Sequence, residues 1–220
     1  MFAAIASVPR LAGADSDEIV TLYTTDSHSS ADDRLASMAD FVAWKFESAT
    51  ISETALYASE SHDISFGSFR ADVDGYAVWV SFFDVIGMRP LLGRSFLPEE
   101  KEPNTPSVVI LSYHLWQAFG GDPSILGKII LVDGQKRTIV GVMPKQMDAL
   151  GPGRILIPFV PAYVTVGGHD REFHVIASVK PGVTLAQVQK DLDLLDQKRH
   201  QREPKYPLNW KARVAPMKQL

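Results

Sequence analysis

Apolar residues cluster along residues 18–25 (EIVTLYTT), where the β-branched and aromatic bias predicts a short strand that the Ser/Asp cluster of residues 26–33 ends. Ser37 stands three residues before Asp40 as an N-cap pair, and Phe41, Val42, Trp44 and Phe46 follow on a short amphipathic helix. Residues 54–66 alternate loosely and predict an extended strand. In residues 69–80 (FRADVDGYAVWV), Ala71, Val73, Gly75, Ala77 and Trp79 share one face and Val78 and Val80 the other, so at least one of these adjacent strands is expected to be buried on both faces. Ser81 then caps a short helix through Phe82, Phe83, Val85 and Ile86, closed by Gly87.

Pro90 and Gly93 mark a turn, and residues 98–106 (PEEKEPNTP) predict a solvated, acidic, proline-rich loop. Residues 108–111 read as a buried strand and 113–119 as a short helix, after which Asp122 and Pro123 open a further helical turn as N-cap and first residue. Residues 128–132 and 136–143 are two strands around Asp133 and Gly134, a dipeptide suited to the positive φ that a type I′ turn needs at both central positions. Residues 144–152 form a second connector bounded by proline and glycine. Residues 155–160 and 173–179 predict strands on either side of the Gly167–Gly168 loop.

The last helix carries the clearest signal. Thr184 and Gln187 form a capping box, and Leu185, Val188, Leu192 and Leu195 recur at steps of three, four and three. Burying those four side chains contributes at most roughly 6 to 12 kcal/mol before entropy, against about 1 kcal/mol for the cap, so packing on a sheet decides this helix. Lys198, Arg199 and Arg202 suit the negative end of its dipole.

Composition narrows the function classes. At 220 residues, 45% hydrophobic and 22% charged, the chain has enough apolar material for one large domain or two small lobes. A net charge of −4 supplies no general pull toward nucleic acid. Zero Cys removes disulfides, thiolate zinc sites and thiol catalysis. No window offers the roughly 20 mostly apolar residues of a membrane span, and residues 1–8, though apolar, lack a basic flank for a signal peptide.

Candidate chemistry is sparse. Gly121 and Gly127 followed by Lys128 suggest a phosphate loop, but the spacing is one residue too long and Ile129 stands where a metal-binding hydroxyl belongs. A structural reading, Asp122 as N-cap and Gly127 as C-cap, fits better, and no ATP binding is expected. Gly151 and Gly153 lack the third glycine of a dinucleotide turn. His169, Asp170 and His174 are the one candidate metal cluster, with the histidines five apart and no third ligand evident. Asp15, Asp17 and Glu18, or Asp72 and Asp74, supply carboxylates without completing a calcium loop. Trp44, Trp79 and Trp116 sit in apolar stretches and are expected in the core, with Trp210 less certain of burial. No residue stands out as a catalyst, and no cofactor or metal is expected.

Residues 107–144 (SVVILSYHLWQAFGGDPSILGKIILVDGQKRTIVGVMP) closely resemble the signature of the MacB-like periplasmic core domain, the extracytoplasmic part of MacB/FtsX-type ABC transporter permeases. The resemblance rests there on Trp116, Gly120, Asp122, Pro123, Gly127, Asp133, Gly134, Gly141, Val142 and Pro144. It extends to residues 37–57 (SMADFVAWKFESATISETALY), similar to the family's first helix, and to residues 73–96 (VDGYAVWVSFFDVIGMRPLLGRSF), with Phe82, Phe83, Gly87, Gly93 and Arg94. Residues 179–192 (VKPGVTLAQVQKDL), with Pro181 and Gly182, look like its last helix.

The resemblance implies an α+β fold of two lobes: a porter-like α/β lobe from residues 1–94 and 150–220, and a smaller inserted sabre-like lobe of residues 95–149. It implies a non-catalytic domain at the periplasmic face of the bacterial inner membrane, part of the duplicated orphan-permease branch. The stretches at either end look like those that follow one membrane helix and precede the next, which makes the chain a truncated permease or an excised domain. The implied partners are the membrane helices of its own permease, a cytoplasmic ABC ATPase acting indirectly, a periplasmic adaptor and a second copy in a dimer. The implied mechanism is mechanotransmission. A stand-alone extracytoplasmic module for a small ligand or peptide is the alternative reading, and a hydrolase using unplaced carboxylates the third.

Overall fold

The computed structural model describes residues 19–26, 35–150, 153–161, 171–203 and 209–217. In chain order the elements begin with β1 (Ile19–Asp26), α1 (Met38–Glu47), β2 (Ile51–Phe66), β3 (Phe69–Val78) and α2 (Phe82–Ile86). They continue with β4 (Leu92–Gly93), β5 (Val108–Leu111), α3 (Tyr113–Ala118), β6 (Ile129–Val132) and β7 (Gln135–Val142). Last come β8 (Ile155–Pro158), β9 (His174–Val179), α4 (Leu185–Arg202) and β10 (Trp210–Pro216). Short 3-10 turns occupy Pro98–Lys101, Pro123–Ile125 and Lys145–Leu150. The class is α+β, strand-rich with few helices, as expected.

Two compact units share the chain, one built on residues 57–162 and the other on residues 12–56 and 163–218, with the boundary inside β2. The limits expected for an inserted lobe, 95 and 149, both lie within the first unit. Backbone pairing explains the grouping: β3 lies antiparallel to β2 from Tyr57 to Phe66, and β8 lies parallel to β3 from Gly75 to Val78.

In the second unit the strands run in the order β10-β1-β9-β2. The cap of α1 forms as its sequence implies, with the Asp40 N–H donating to Ser37 Oγ at 3.1 Å and the Ser37 N–H to Asp40 Oδ2 at 2.9 Å. Phe41 and Trp44 on α1 and Val188, Leu192 and Leu195 on α4 are buried with Val20 and Leu22 of β1 and most of β9. Leu185, at the first turn of α4, is only half-buried.

In the first unit β3, β8, β5, β7 and β4 follow the second part of β2, while β6 pairs with both β2 and β7. The core holds Ile64, Val78, Phe83, Ile110, Leu111, Ile130, Ile139 and Val142. The β6–β7 turn has φ of 52° at Asp133 and 74° at Gly134, the hairpin geometry that dipeptide implies.

Four expectations change. Ser81 makes no side-chain cap; the first turn of α2 is held instead by the Val85 N–H bonded to the Ser81 carbonyl at 3.0 Å. Residues 98–106 are not wholly solvated: Glu100 is buried against Arg94 because the 3-10 turn at Pro98–Lys101 points its carboxylate inward. Trp79 is half-buried, lying beyond the end of β3 with its ring 6.2 Å from that of Phe159 and under Lys101 Nζ at 5.7 Å. Phe46, read with Phe41, Val42 and Trp44 on the apolar side of α1, is 74% exposed, because the helical period turns it away from Phe41 and Trp44. β10 was not among the expected strands, although Trp210, Ala212 and Val214 alternate with Lys211 and Arg213 as a half-buried strand does.

Candidate functional site

Three polar knots hold these elements; the first and third join residues far apart in sequence, and the second closes a local loop. In the first unit, Asp133 sits in the β6–β7 turn and reaches β2, where the His62 Nδ1 lies 2.7 Å from Asp133 Oδ2 and the Asp63 N–H donates to Oδ1 at 3.0 Å. His62 is only 5% exposed, and its Nε2 lies 3.4 Å from Glu60 without a hydrogen bond. Burial would raise the Asp133 carboxyl, but hydrogen bonds from His62 and the Asp63 amide, with the charge of Arg137, hold it below the usual carboxylate range.

The second knot closes the segment around β4. Arg94 Nη2 donates to Glu100 Oε1 at 2.7 Å and Nη1 to Oε2 at 3.1 Å, a two-pronged pair, and the Leu97 N–H donates to the same carboxylate at 2.7 Å. Gly93 has φ of +73°, and a Cβ there would run into the Val140 carbonyl oxygen, so this strand end tolerates only glycine. Gly141 opposite it leaves room for the Arg94 carbonyl, which would stand 2.7 Å from an added Cβ.

The third knot is in the second unit. Arg199 on α4 donates to Asp40 on α1, both buried. Asp191, one helix face away, accepts through a single oxygen from Ser48 Oγ at 2.6 Å, Thr50 Oγ1 at 2.8 Å, the Ala49 N–H at 2.9 Å and the Thr50 N–H at 3.2 Å. Burial opposes its charge, but those four donors keep its carboxyl below the usual range. Asp196 is held above that range, chiefly by burial, despite accepting from the Ala212 N–H at 2.8 Å.

The remaining motif residues are placed as architecture. Phe82 and Phe83 pack edge to face at 5.7 Å, and Gly87 closes α2. The Trp116 Nε1 donates to the Asp122 carbonyl at 3.1 Å, while the Asp122 carboxylate caps the turn begun by Pro123, accepting from the Ser124 N–H at 2.8 Å. Gly120 and Gly127 have positive φ, and the Gly127 N–H donates to the Ile139 carbonyl at 2.8 Å, so Gly121, Gly127 and Lys128 belong to a capped turn and a strand entry. The Pro144 carbonyl accepts from the Met147 N–H at 3.0 Å. Pro181 and Gly182 turn the chain between β9 and α4.

Of the candidate metal cluster, His169 and Asp170 lie outside the described residues, and His174 begins β9 half-buried, with its basicity lowered by burial. Asp15, Asp17 and Glu18 also lie outside them, whereas Asp72 and Asp74 are exposed on β3. Among the described residues no group of three or more potential ligands is placed to hold a metal ion, and no helix is long and apolar enough to cross a membrane.

Two surface features complete the geometry. Ile129 at 50% exposure, Leu126 at 36% and Leu91 at 50% follow β7 in space, since Ile129 is opposite Thr138, Gly127 bonds to Ile139 and the Leu91 N–H donates to the Val142 carbonyl. Leu97, 38% exposed, stands on the same β4 loop. In the second unit, β1 begins and β10 ends side by side, with Val20 opposite Pro216.

Residues 5–195 match the family model of the MacB-like periplasmic core domain. The macrolide export ATP-binding/permease protein MacB of Burkholderia thailandensis is 30% identical over 132 residues, 58% of this chain and 20% of that protein. That of Bdellovibrio bacteriovorus is 31% identical over 115 residues, 50% of this chain and 17% of that protein. The chain thus spans about a fifth of the length of these curated relatives. Among solved structures, the periplasmic region of MacB from Actinobacillus actinomycetemcomitans superposes with a TM-score of 0.65 at 16% identity, covering 90% of this chain and 88% of that one. A domain of a putative permease protein from Porphyromonas gingivalis gives a TM-score of 0.68 at 15% identity, covering 93% and 92%. At such identities the likeness is one of fold.

Proposed function

The chain belongs to the MacB-like periplasmic core domain family, and from that premise we propose that it is a non-catalytic extracytoplasmic domain of an ABC transporter permease, carried between two membrane helices at the periplasmic face of the inner membrane. The observation that carries this reading is the adjacency of β1 and β10. Their antiparallel register brings the way into the unit beside the way out, with Val20 facing Pro216. A domain hung between two neighbouring membrane helices needs its two connections at one end.

On this reading ATP turnover in a cytoplasmic partner moves the helices, and the domain passes that motion to a periplasmic adaptor or to substrate. The exposed apolar residues along β7, Leu91, Leu126 and Ile129, offer partner-facing surface of the kind that apolar side chains clustered at a protein's exterior mark. The polar knots support a transmitting rather than a chemical role: Asp40, Glu100, Asp133 and Asp191 each bond to backbone amides together with an arginine, histidine or hydroxyl side chain that belongs to the fold.

This chain has no cysteine, so once any cysteine elsewhere in the permease is replaced each label is unique. Lys136→Cys on the hairpin and Lys190→Cys on α4, both exposed positions, are introduced one at a time into the full permease and treated in intact cells with a membrane-impermeant maleimide. Labelling from outside the inner membrane is expected, and labelling only after lysis would overturn the location. The two sites together, spin-labelled, should give a distance distribution that shifts with nucleotide in the assembled transporter. A distribution unmoved by nucleotide would overturn transmission between the units.

A further inference from the structure

β10 is the outermost strand of its unit, paired on one side with β1 alone. In an antiparallel ladder, alternate residues turn their N–H and C=O groups toward the partner strand and the rest turn them outward. An outward row left bare invites another strand and costs free energy where it is buried. Here the middle of that row is filled from α4. The Ala212 N–H donates to Asp196 Oδ2 at 2.8 Å, the Ala212 carbonyl accepts from Gln189 Nε2 at 3.0 Å, and the Val214 N–H donates to Gln189 Oε1 at 3.3 Å. Pro216, two residues on in the same outward register, has no N–H to satisfy. Ala212 is fully buried and Asp196 is 3% exposed, so the bond between them is made away from water, while the two bonds to Gln189 are part-buried.

We infer that α4 acts as a side-chain substitute for a further strand, and that Gln189 and Asp196 clamp β10 against being peeled from β1. The loading geometry makes such a clamp consequential. Because the chain enters at Ile19 and leaves beyond Pro216, at the same end of the β1–β10 pair, tension between the two connections strains the ladder one rung at a time instead of shearing all rungs together. An unzipped two-strand edge yields at low load. Bonds on the far edge of β10 to a helix that is itself buried along Val188, Leu192 and Leu195 and tied to α1 through Arg199 share that load. The load itself follows from the function proposed above; the clamp does not depend on it.

The 220-residue chain is pulled by handles at its two ends in a constant-force optical trap. The first event is expected to release the stretch after α4, a gain on the order of 40 to 50 Å for residues 203–217. Forced opening is governed by the opening rate. Asp196→Ala and Gln189→Met should each speed that first event by about tenfold, and Asp196→Asn, which keeps an acceptor for the Ala212 amide, should restore the parent rate. Asp191→Ala serves as the control for general weakening of α4. It should lower the urea midpoint and leave the first event unchanged.

A first event of another size, equal rates for Asp196→Ala and the parent, or an equal acceleration by Asp191→Ala overturns the clamp. In the intact permease the same variants separate the two ideas. Faster peeling on the trap with unaltered nucleotide-driven distance changes supports the clamp and overturns the assumed load.

Discussion

Asp191 on α4 and Thr50 at the head of β2 meet twice at one oxygen: Thr50 donates to Asp191 Oδ2 through its hydroxyl at 2.8 Å and through its amide at 3.2 Å. With Ser48 and Ala49 adding their own donors, this carboxylate satisfies the bend between α1 and β2 from a helix more than a hundred residues away. Asp191→Ala leaves those donors facing partly exposed surface, and a loss of about 1 to 3 kcal/mol is expected from urea denaturation at pH 7. The folded-state pKa of Asp191 is lowered, so its contribution is present above the ordinary carboxylate range, near 3.9, and vanishes as pH falls through the folded value. The variant should therefore lose less stability than the parent between pH 5 and 2.

Asp196 titrates in the opposite sense. Its folded-state pKa is raised, chiefly by burial, so the folded chain prefers the protonated acid. Its favourable contribution is full below the unfolded value and disappears as pH rises through the folded one. Asp196→Asn cannot ionise, and the difference in urea midpoint between variant and parent should swing toward the variant as pH rises from 3 to 7. A difference constant over that range would show that Asp196 does not titrate differently in the folded state.

The buried pair Arg199 and Asp40 predicts a large single-substitution effect. Arg199→Met strands the Asp40 carboxylate in the core of the second unit, where it is fully buried, and should cost about 3 to 5 kcal/mol in denaturant titration. Asp40→Asn with Arg199→Met removes both charges and should recover part of that loss, because a neutral side chain still accepts the cap bond of α1.

Two glycines of similar φ should respond differently to the same change. Gly134, at 74°, has nothing within 4 Å of an added Cβ, so Gly134→Ala pays only for left-handed backbone, about 1 to 2 kcal/mol. Gly134→Val, β-branched, should cost about 1 to 3 kcal/mol. Gly93, at 73°, adds a collision with the Val140 carbonyl oxygen. Gly93→Ala should therefore destabilise by roughly 3 kcal/mol or more, through loss of the β4–β7 pairing. Equal thermal shifts for the two alanine variants would remove that pairing from the account.

What could be read along the chain is what short-range physics decides. The capping boxes at Ser37 with Asp40 and Thr184 with Gln187 formed as spaced, because a cap bond closes within one helical turn. Asp133 and Gly134 turned the hairpin because positive φ is a local cost that few dipeptides meet. The ordered glycines, prolines and aromatics of residues 107–144 were enough to point to the family.

The partners of the carboxylates were decided only in the folded chain. His62 and Asp133 are 71 residues apart and Asp40 and Arg199 are 159 apart, and nothing in the composition of either segment says which of 26 acidic residues a given base will meet. Arg199 suits the negative end of the α4 dipole by position alone, because the dipole acts locally, whereas its burial depends on how α1 packs against α4. β10 shows the same limit. Trp210, Ala212 and Val214 alternate with Lys211 and Arg213, but that period does not say that β1 pairs on one side or that Gln189 and Asp196 bond on the other, which only the folded chain decides.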